Sequence, residues 1–217
     1  MGTTLRIRCT CGALQGEARG IAAAAGNHVV CYCDDCQAFA HFLGRACEVL
    51  DDNGGTEIFQ MSPAQVRFTA GGDRLACMRL TGKGMRRWFA ACCRTPIGNT
   101  MASAGMAFVG MIPFCFERPP EDPALQRALG PVLARAFRQH AKGDVSRIPA
   151  DPIPFALDVL RVASLLLWWK LRGDDRRSPF FDARTRRPAV EARVLDGAEL
   201  AAVRAAVVQA SGSGAPG

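Results

Sequence analysis

Three thiols fall within six residues in the stretch Cys31-Tyr32-Cys33-Asp34-Asp35-Cys36. Cysteines spaced by two and three residues around a turn can aim their sulfurs at one centre. Zinc suits such a set, because it takes thiolate ligands and deprotonates them. A disulfide with one free thiol, or three small core residues, are the other readings, and the density of the cluster favours metal. Cys9 and Cys11, and the adjacent Cys92 and Cys93, are further candidate ligands, whereas Cys47, Cys77 and Cys115 occur singly. Clustering of this kind in a chain with ten cysteines describes chelation better than a disulfide framework.

The elements that must hold these thiols read mainly as strands. Leu5-Arg6-Ile7-Arg8 alternates apolar and polar residues and delivers Cys9 and Cys11 at its end. The two-residue period lets both face the same way, so a slight bend would let them share an ion. Asn27-His28-Val29-Val30 is a strand leading into the Cys31 cluster. His28 is a candidate fourth ligand, with an ordinary hydrogen-bonded imidazole as the commoner alternative. His41, in what reads as a connecting segment over 38–44, could approach the cluster as an acid or base. Further strands are expected over 47–50, 56–61, 65–69 and 74–80, separated by Gly, Asp and Pro turns, which together describe an antiparallel β domain. Cys77, among apolar neighbours, reads as a core residue. An ion that joined Cys92 or Cys93 to ligands near the start of the chain would close a long loop and stabilise that domain.

The order of these motifs resembles the glutathione-dependent formaldehyde-activating enzyme family, in a divergent form also similar to centromere protein V-like zinc-binding proteins. The likeness rests on Cys9-Thr10-Cys11-Gly12, on the Cys31, Cys33, Cys36 triplet, and on Phe89-Ala90-Ala91-Cys92-Cys93-Arg94-Thr95-Pro96-Ile97, and it covers roughly residues 5–115. It implies a β-tent fold of small antiparallel sheets with zinc-thiolate sites. It also implies carbon–sulfur lyase activity on a glutathione-like thiol adduct. By the same resemblance Cys9, Cys11 and Cys93 belong to a structural zinc site, and Cys31, Cys33 and Cys36 to a zinc associated with thiol chemistry. Ala90 stands where the family has a cysteine, and Arg94 where it has glycine. Three arrangements stay open: Cys92 supplies the missing ligand, the first site holds three sulfurs, or Cys92 or Cys93 completes the Cys31 cluster. One or two zinc ions follow accordingly.

Composition shifts after Phe116, so residues 1–117 are expected to form the zinc-binding β domain and 118–217 an α-helical C-terminal extension, with a disordered tail from about 211. Leu125, Leu129, Val132, Leu133, Ala136 and Phe137 recur at helical spacing after the Asp122-Pro123 start, Gly130-Pro131 could bend or divide that helix, and Gly143 ends the pattern. A second helix is expected over 155–172. Its wide apolar surface, including Leu165, Leu166, Trp168 and Trp169, must be covered, first by packing on the β domain and otherwise by a homodimer or protein partner. Arg187 to Val194 is a further strand candidate. Asp196 and Glu199 have capping-box spacing ahead of a third helix whose apolar face carries Leu200, Val203 and Val207.

The net charge of +7 comes mainly from the C-terminal half and reads first as a solvated basic face, with nucleic-acid and membrane binding ranked below it. No apolar leader core precedes the first cysteines, so a reducing, cytoplasmic setting is expected. Two functions compete. One is a zinc-dependent carbon–sulfur lyase with an open metal position; the other is a non-catalytic zinc-stabilised module whose helical half contacts a partner.

Overall fold

The computed structural model describes residues 2–212. The fold is rich in β-structure, with helices laid around it. A three-stranded sheet has the order β1-β2-β5, formed by β1 (Thr3–Arg8), β2 (Gln15–Ile21) and β5 (Val66–Ala70). The larger sheet has eight strands in the order β10-β3-β4-β9-β8-β7-β6-β11. Its central members are β3 (Asn27–Cys31), β4 (Thr56–Met61), β6 (Leu75–Arg79), β7 (Arg86–Ala90), β8 (Thr95–Thr100) and β9 (Val109–Met111), all paired antiparallel. Both outer strands come from later in the chain. They are β10 (Ala134–Ala136), parallel to β3, and β11 (Arg193–Val194), parallel to β6. The large sheet is therefore mixed, where small antiparallel sheets were expected.

Residues beyond 117 also fill the core. Leu125, Leu129, Phe180 and Phe181 pack in one buried cluster with Trp88, Ile97 and Met111. The Phe180 ring lies 5.1 Å from that of Trp88 and 5.7 Å, edge-on, from that of Phe68. The five helices are α1 (Asp34–Phe42), α2 (Ala46–Val49), α3 (Pro123–Leu129), α4 (Phe155–Leu171) and α5 (Gly197–Gly212).

Several expectations are corrected. Residues 38–42 of the expected connecting segment belong to α1, a helix started by the Cys33 N-cap and by Asp34 and Asp35 in its first turn, and only Leu43 and Gly44 turn out of it. The strand expected over 47–50 is the short helix α2, where Arg45 pairs with Glu48 three residues on and only Leu50 makes an isolated bridge to Thr56. The helix expected from Leu125 to Phe137 stops at Leu129. Gly130 takes φ +75°, Pro131 cannot continue the hydrogen-bond ladder, and residues 134–136 instead satisfy the free edge of β3. The capping box of α5 is formed: Asp196 Oδ1 accepts from Glu199 N at 2.8 Å and Glu199 Oε2 accepts from Asp196 N at 3.2 Å. Of the tail expected to be disordered from 211, residues 213–217 lie outside the described residues, and α5 runs on to Gly212. Most of the apolar surface of α4 is not packed on the sheet. Phe155, Leu160 and Leu171 are 80%, 65% and 75% exposed.

Truncating Phe180 to Ala removes a fully buried ring between Trp88 and Phe68 and is expected to cost about 3–5 kcal/mol in denaturant unfolding. A cost below about 1 kcal/mol would show that the C-terminal half packs only loosely on the sheets.

Candidate metal centres

The first centre forms where β1 and β7 run out. Cys9 to Gly12 is a tight turn, with Gly12 N donating to Cys9 O at 2.8 Å and Gly12 at φ +77°. The same turn aims Leu14 N at Cys9 Sγ, 3.2 Å away; burial pushes the Cys9 thiol up, and this contact offsets part of that rise. Opposite it, the turn after β7 closes with Arg94 N donating to Ala90 O at 2.8 Å, and Arg94 sits in the left-handed region at φ +57°. That kink turns two adjacent cysteines toward the same point, which an extended strand would not do.

Cys9, Cys11, Cys92 and Cys93 then offer four sulfurs within 4.8 Å of one another. Cys9 Sγ is 3.5 Å from Cys11 Sγ and 3.8 Å from Cys92 Sγ, and Cys11 Sγ is 3.3 Å from Cys92 Sγ. A tetrahedron with zinc–sulfur bonds of 2.3 Å has an edge of about 3.8 Å, whereas a disulfide would need about 2.05 Å. The donor set therefore fits an ion, and all ten cysteines are free of disulfides. Of the arrangements left open by the sequence, Cys92 and Cys93 both join Cys9 and Cys11, and neither completes the Cys31 cluster.

Hydrogen bonds tie the two halves of this centre together. Thr95 Oγ1 accepts from Thr10 N at 3.0 Å and lies 3.1 Å from Cys93 Sγ. Arg45 Nη2 donates to Cys93 O at 2.8 Å and to Thr10 Oγ1 at 3.0 Å. Desolvation opposes ionisation of Cys93, yet hydrogen bonds from Thr10 and Thr95 bring its pKa down to about 5. Cys92 goes the other way, to about 12, through desolvation and its contacts with the neighbouring thiols.

The second centre stands at the end of β3. Cys31 closes that strand, paired with Thr56 of β4 and Ala136 of β10; Cys33 caps α1, and Cys36 lies in its first turn. Their three sulfurs lie within 4.8 Å of one another, and among the described residues no other Cys, His, Asp or Glu joins them within that distance. All three line a cavity of about 490 Å³. Across the sheet, Arg87 of β7 and Asn99 of β8 are register partners that reach into the same cavity. Gly110 of β9 also lines it and lets Ile58 pack close, since a Cβ there would come within 2.7 Å of Ile58 Cγ2. Met85, Phe108 and Phe137 supply apolar wall.

Charge is concentrated beside the sulfurs. Buried Arg87 places Nη1 3.8 Å from Cys36 Sγ and Nη2 3.8 Å from Asp35 Oδ2. Hydrogen bonds from Cys31 and Cys33, and then the Arg87 guanidinium, hold the Cys36 thiol well below its usual range despite burial. Contacts with Cys33 and Cys36, together with burial, push Cys31 up. Arg204 of α5 donates from Nη2 to Asp35, while its Nη1 is buried without a hydrogen-bond partner at the cavity wall. His140 Nδ1 lies 3.0 Å from Asp34 Oδ2 on the same wall.

Neither histidine singled out from the sequence is in this centre. His28 is buried between Gly130 O at 2.7 Å and Glu57 Oε1 at 2.6 Å, an ordinary hydrogen-bonded imidazole. His41 lines a different cavity with Gln37, Cys47 and Lys142, and burial lowers its pKa. The polar groups that line the trio's cavity (Arg87, Asn99, His140, Arg204), of which Arg87 touches Cys36, carry no local motif. Arg87 lies on β7, two residues before the 89–97 stretch that carries Cys92 and Cys93, and no strand is expected there from the sequence.

The model of a family of unknown function, DUF6151, matches residues 1–191. The chain belongs to that family. The DUF6151 match contains both cysteine groups and ends before α5, so Arg204 comes from outside the matched region. No curated protein matches the chain. Among the described residues no helix is long and apolar enough to cross a membrane.

Replacing Thr95 with Ala leaves Thr10 N without its partner and is expected to cost about 1–3 kcal/mol. In metal-stripped protein the same change should move Cys93 upward from about 5, read as the pH dependence of its alkylation. An unchanged alkylation profile would mean that the threonine does not stabilise the thiolate.

Proposed function

We propose that the chain is a zinc protein with two ions, one structural, on Cys9, Cys11, Cys92 and Cys93, and one open to ligand, on Cys31, Cys33 and Cys36. At the open ion we propose carbon–sulfur lyase-type chemistry on a small thiol adduct of the glutathione kind. One observation carries this reading: three sulfurs, rather than four, line a large cavity. Closed four-ligand zinc is structural, and three protein ligands leave a position for substrate. The motif order that resembles the glutathione-dependent formaldehyde-activating family supports the assignment, as does the β-rich frame in which a β-tent is proposed. Zinc, when bound, would hold a substrate sulfur as thiolate at neutral pH.

The chain's own groups would do the rest. Arg204 Nη1, buried and unpaired, offers a donor to an anionic group on the ligand, and a guanidinium meets a carboxylate with matched geometry. Arg87 balances the charge gathered on the sulfurs. His140, oriented by Asp34, is placed to take up or give a proton at the cavity wall. Phe108, Phe137 and Met85 would give the adduct apolar wall to pack against. A non-catalytic zinc-stabilised module that meets a partner is the second reading, favoured by the exposed apolar face of α4.

Titration of the zinc-loaded protein with glutathione by calorimetry tests the proposal. Saturable binding is expected, lost in Cys31→Ser protein that keeps its thermal transition. Arg204→Ala should weaken glutathione by roughly tenfold, the loss of one charged hydrogen bond, while leaving an uncharged thiol such as mercaptoethanol nearly unaffected. A flat titration at millimolar thiol would overturn the open-site reading, and equal weakening of both thiols would remove Arg204 from it.

A further inference from the structure

The cavity beside Cys31, Cys33 and Cys36 is divided along the large sheet. Over β8 and β7 its lining is polar, with Asn99 and Arg87. Over β10, β3 and β4 it is apolar: Ala136, Val29 and Ile58 lie on neighbouring strands, with Val29 and Ile58 in register. Phe108 extends that floor past β9, since a Cβ on Gly110 would meet Ile58 Cγ2 at 2.7 Å and Phe108 Cζ at 3.6 Å. Gln60 is the polar residue on this side, and its Oε1 already accepts from Asn27 Nδ2 at 3.2 Å. Phe137 stands at the rim. Its backbone is in the left-handed region, at φ +60° and ψ +39°, which is costly for any residue but glycine, and the residue is 54% exposed. Among the described residues it belongs to none of the buried apolar clusters. The fold thus carries a strained, water-facing phenylalanine from which it gains little packing, and strain held beside a cavity points to a ligand.

We infer, resting on the open zinc site proposed above, that the thiol adduct carries a ring-sized apolar group such as phenyl on the carbon bonded to its sulfur, and that Phe137 recognises that group. A one-carbon unit on the sulfur would leave Val29, Ile58 and Phe108 facing water. The peptide amides of a glutathione-like thiol would find no hydrogen-bond partners along the same floor. The polar arms of the adduct therefore belong toward Arg204 and Asn99, and the carbon substituent toward the apolar side. A cavity of about 490 Å³ has the size of those that enclose a whole small ligand. The rings of Phe137 and His140 lie 6.5 Å apart and edge-on, so a ligand ring packed on Phe137 is next to the imidazole that Asp34 orients.

Calorimetric titration of the zinc-loaded full chain with two thiols of similar acidity, benzyl mercaptan and mercaptoethanol, tests this. Benzyl mercaptan is expected to bind at least about tenfold tighter, the gain from burying its ring. In Phe137→Gly protein that preference should fall by at least about threefold with mercaptoethanol binding unchanged. The thermal transition of this variant should equal or exceed that of the wild type, because glycine adopts the left-handed backbone without cost. A phenylalanine that serves only the fold would do the opposite, lowering the transition and leaving the preference intact, and that result would overturn the assignment. Equal affinities for the two thiols would overturn it while leaving the open zinc site standing, whereas no binding of either would remove both. Benzyl mercaptan binding that persists in Cys31→Ser protein would place the ring away from the sulfurs and also overturn it.

Discussion

Thiols brought to van der Waals distance gain little from one another and lose hydration, so a cluster of them needs something at its centre. Here Cys9 and Cys92 are separated by 83 residues and lie 3.8 Å apart. The turn at Cys9, the left-handed kink at Arg94, and the Thr10, Thr95 and Arg45 hydrogen bonds all serve that convergence. Because the three-stranded sheet contributes Cys9 and Cys11 while β7 and the turn after it contribute Cys92 and Cys93, the first centre fastens one sheet to the other. An ion held there would close a long loop and so stabilise the frame.

The second centre differs in surroundings more than in donors. It sits where β3, α1 and β10 meet, over the face of the large sheet, with a cavity on its open side. The residues after 117 complete that cavity. The turn after β10 brings Phe137 and His140, and α5, packed on α1 through Leu200, Val203 and Val207, brings Arg204 to Asp35. The C-terminal half thus shapes the environment of sulfurs supplied by the N-terminal half. Its other long helix, α4, turns its apolar side outward and away from the sheet.

What could be read from the sequence was what is local. The Cys31, Cys33, Cys36 triplet, the strand at 56–61 and the Asp196–Glu199 capping box depend on neighbours a few residues away, and the structure forms each of them. The grouping of Cys92 with Cys93 was one of three arrangements the sequence left open, and it could not be selected there because it depends on a backbone kink at an arginine, a residue type that rarely signals one. Residues 134–136 have a helical pattern and are a strand only because β3 offers an unpaired edge. Arg87, His140 and Arg204 reach one cavity from three distant segments, and no spacing rule links them.

The central claim is that two separate sulfur groups each hold an ion. Zinc per chain, measured by mass spectrometry of protein purified without chelator, tests it most directly, for the wild type and for the Cys36→Ser and Cys92→Ser variants. The account predicts two ions in the wild type and the loss of one, from a different centre, in the Cys36→Ser protein. It predicts at least a tenfold weaker second ion in Cys92→Ser. A folded wild-type chain with no bound metal, or a single ion lost in both variants together, would contradict it.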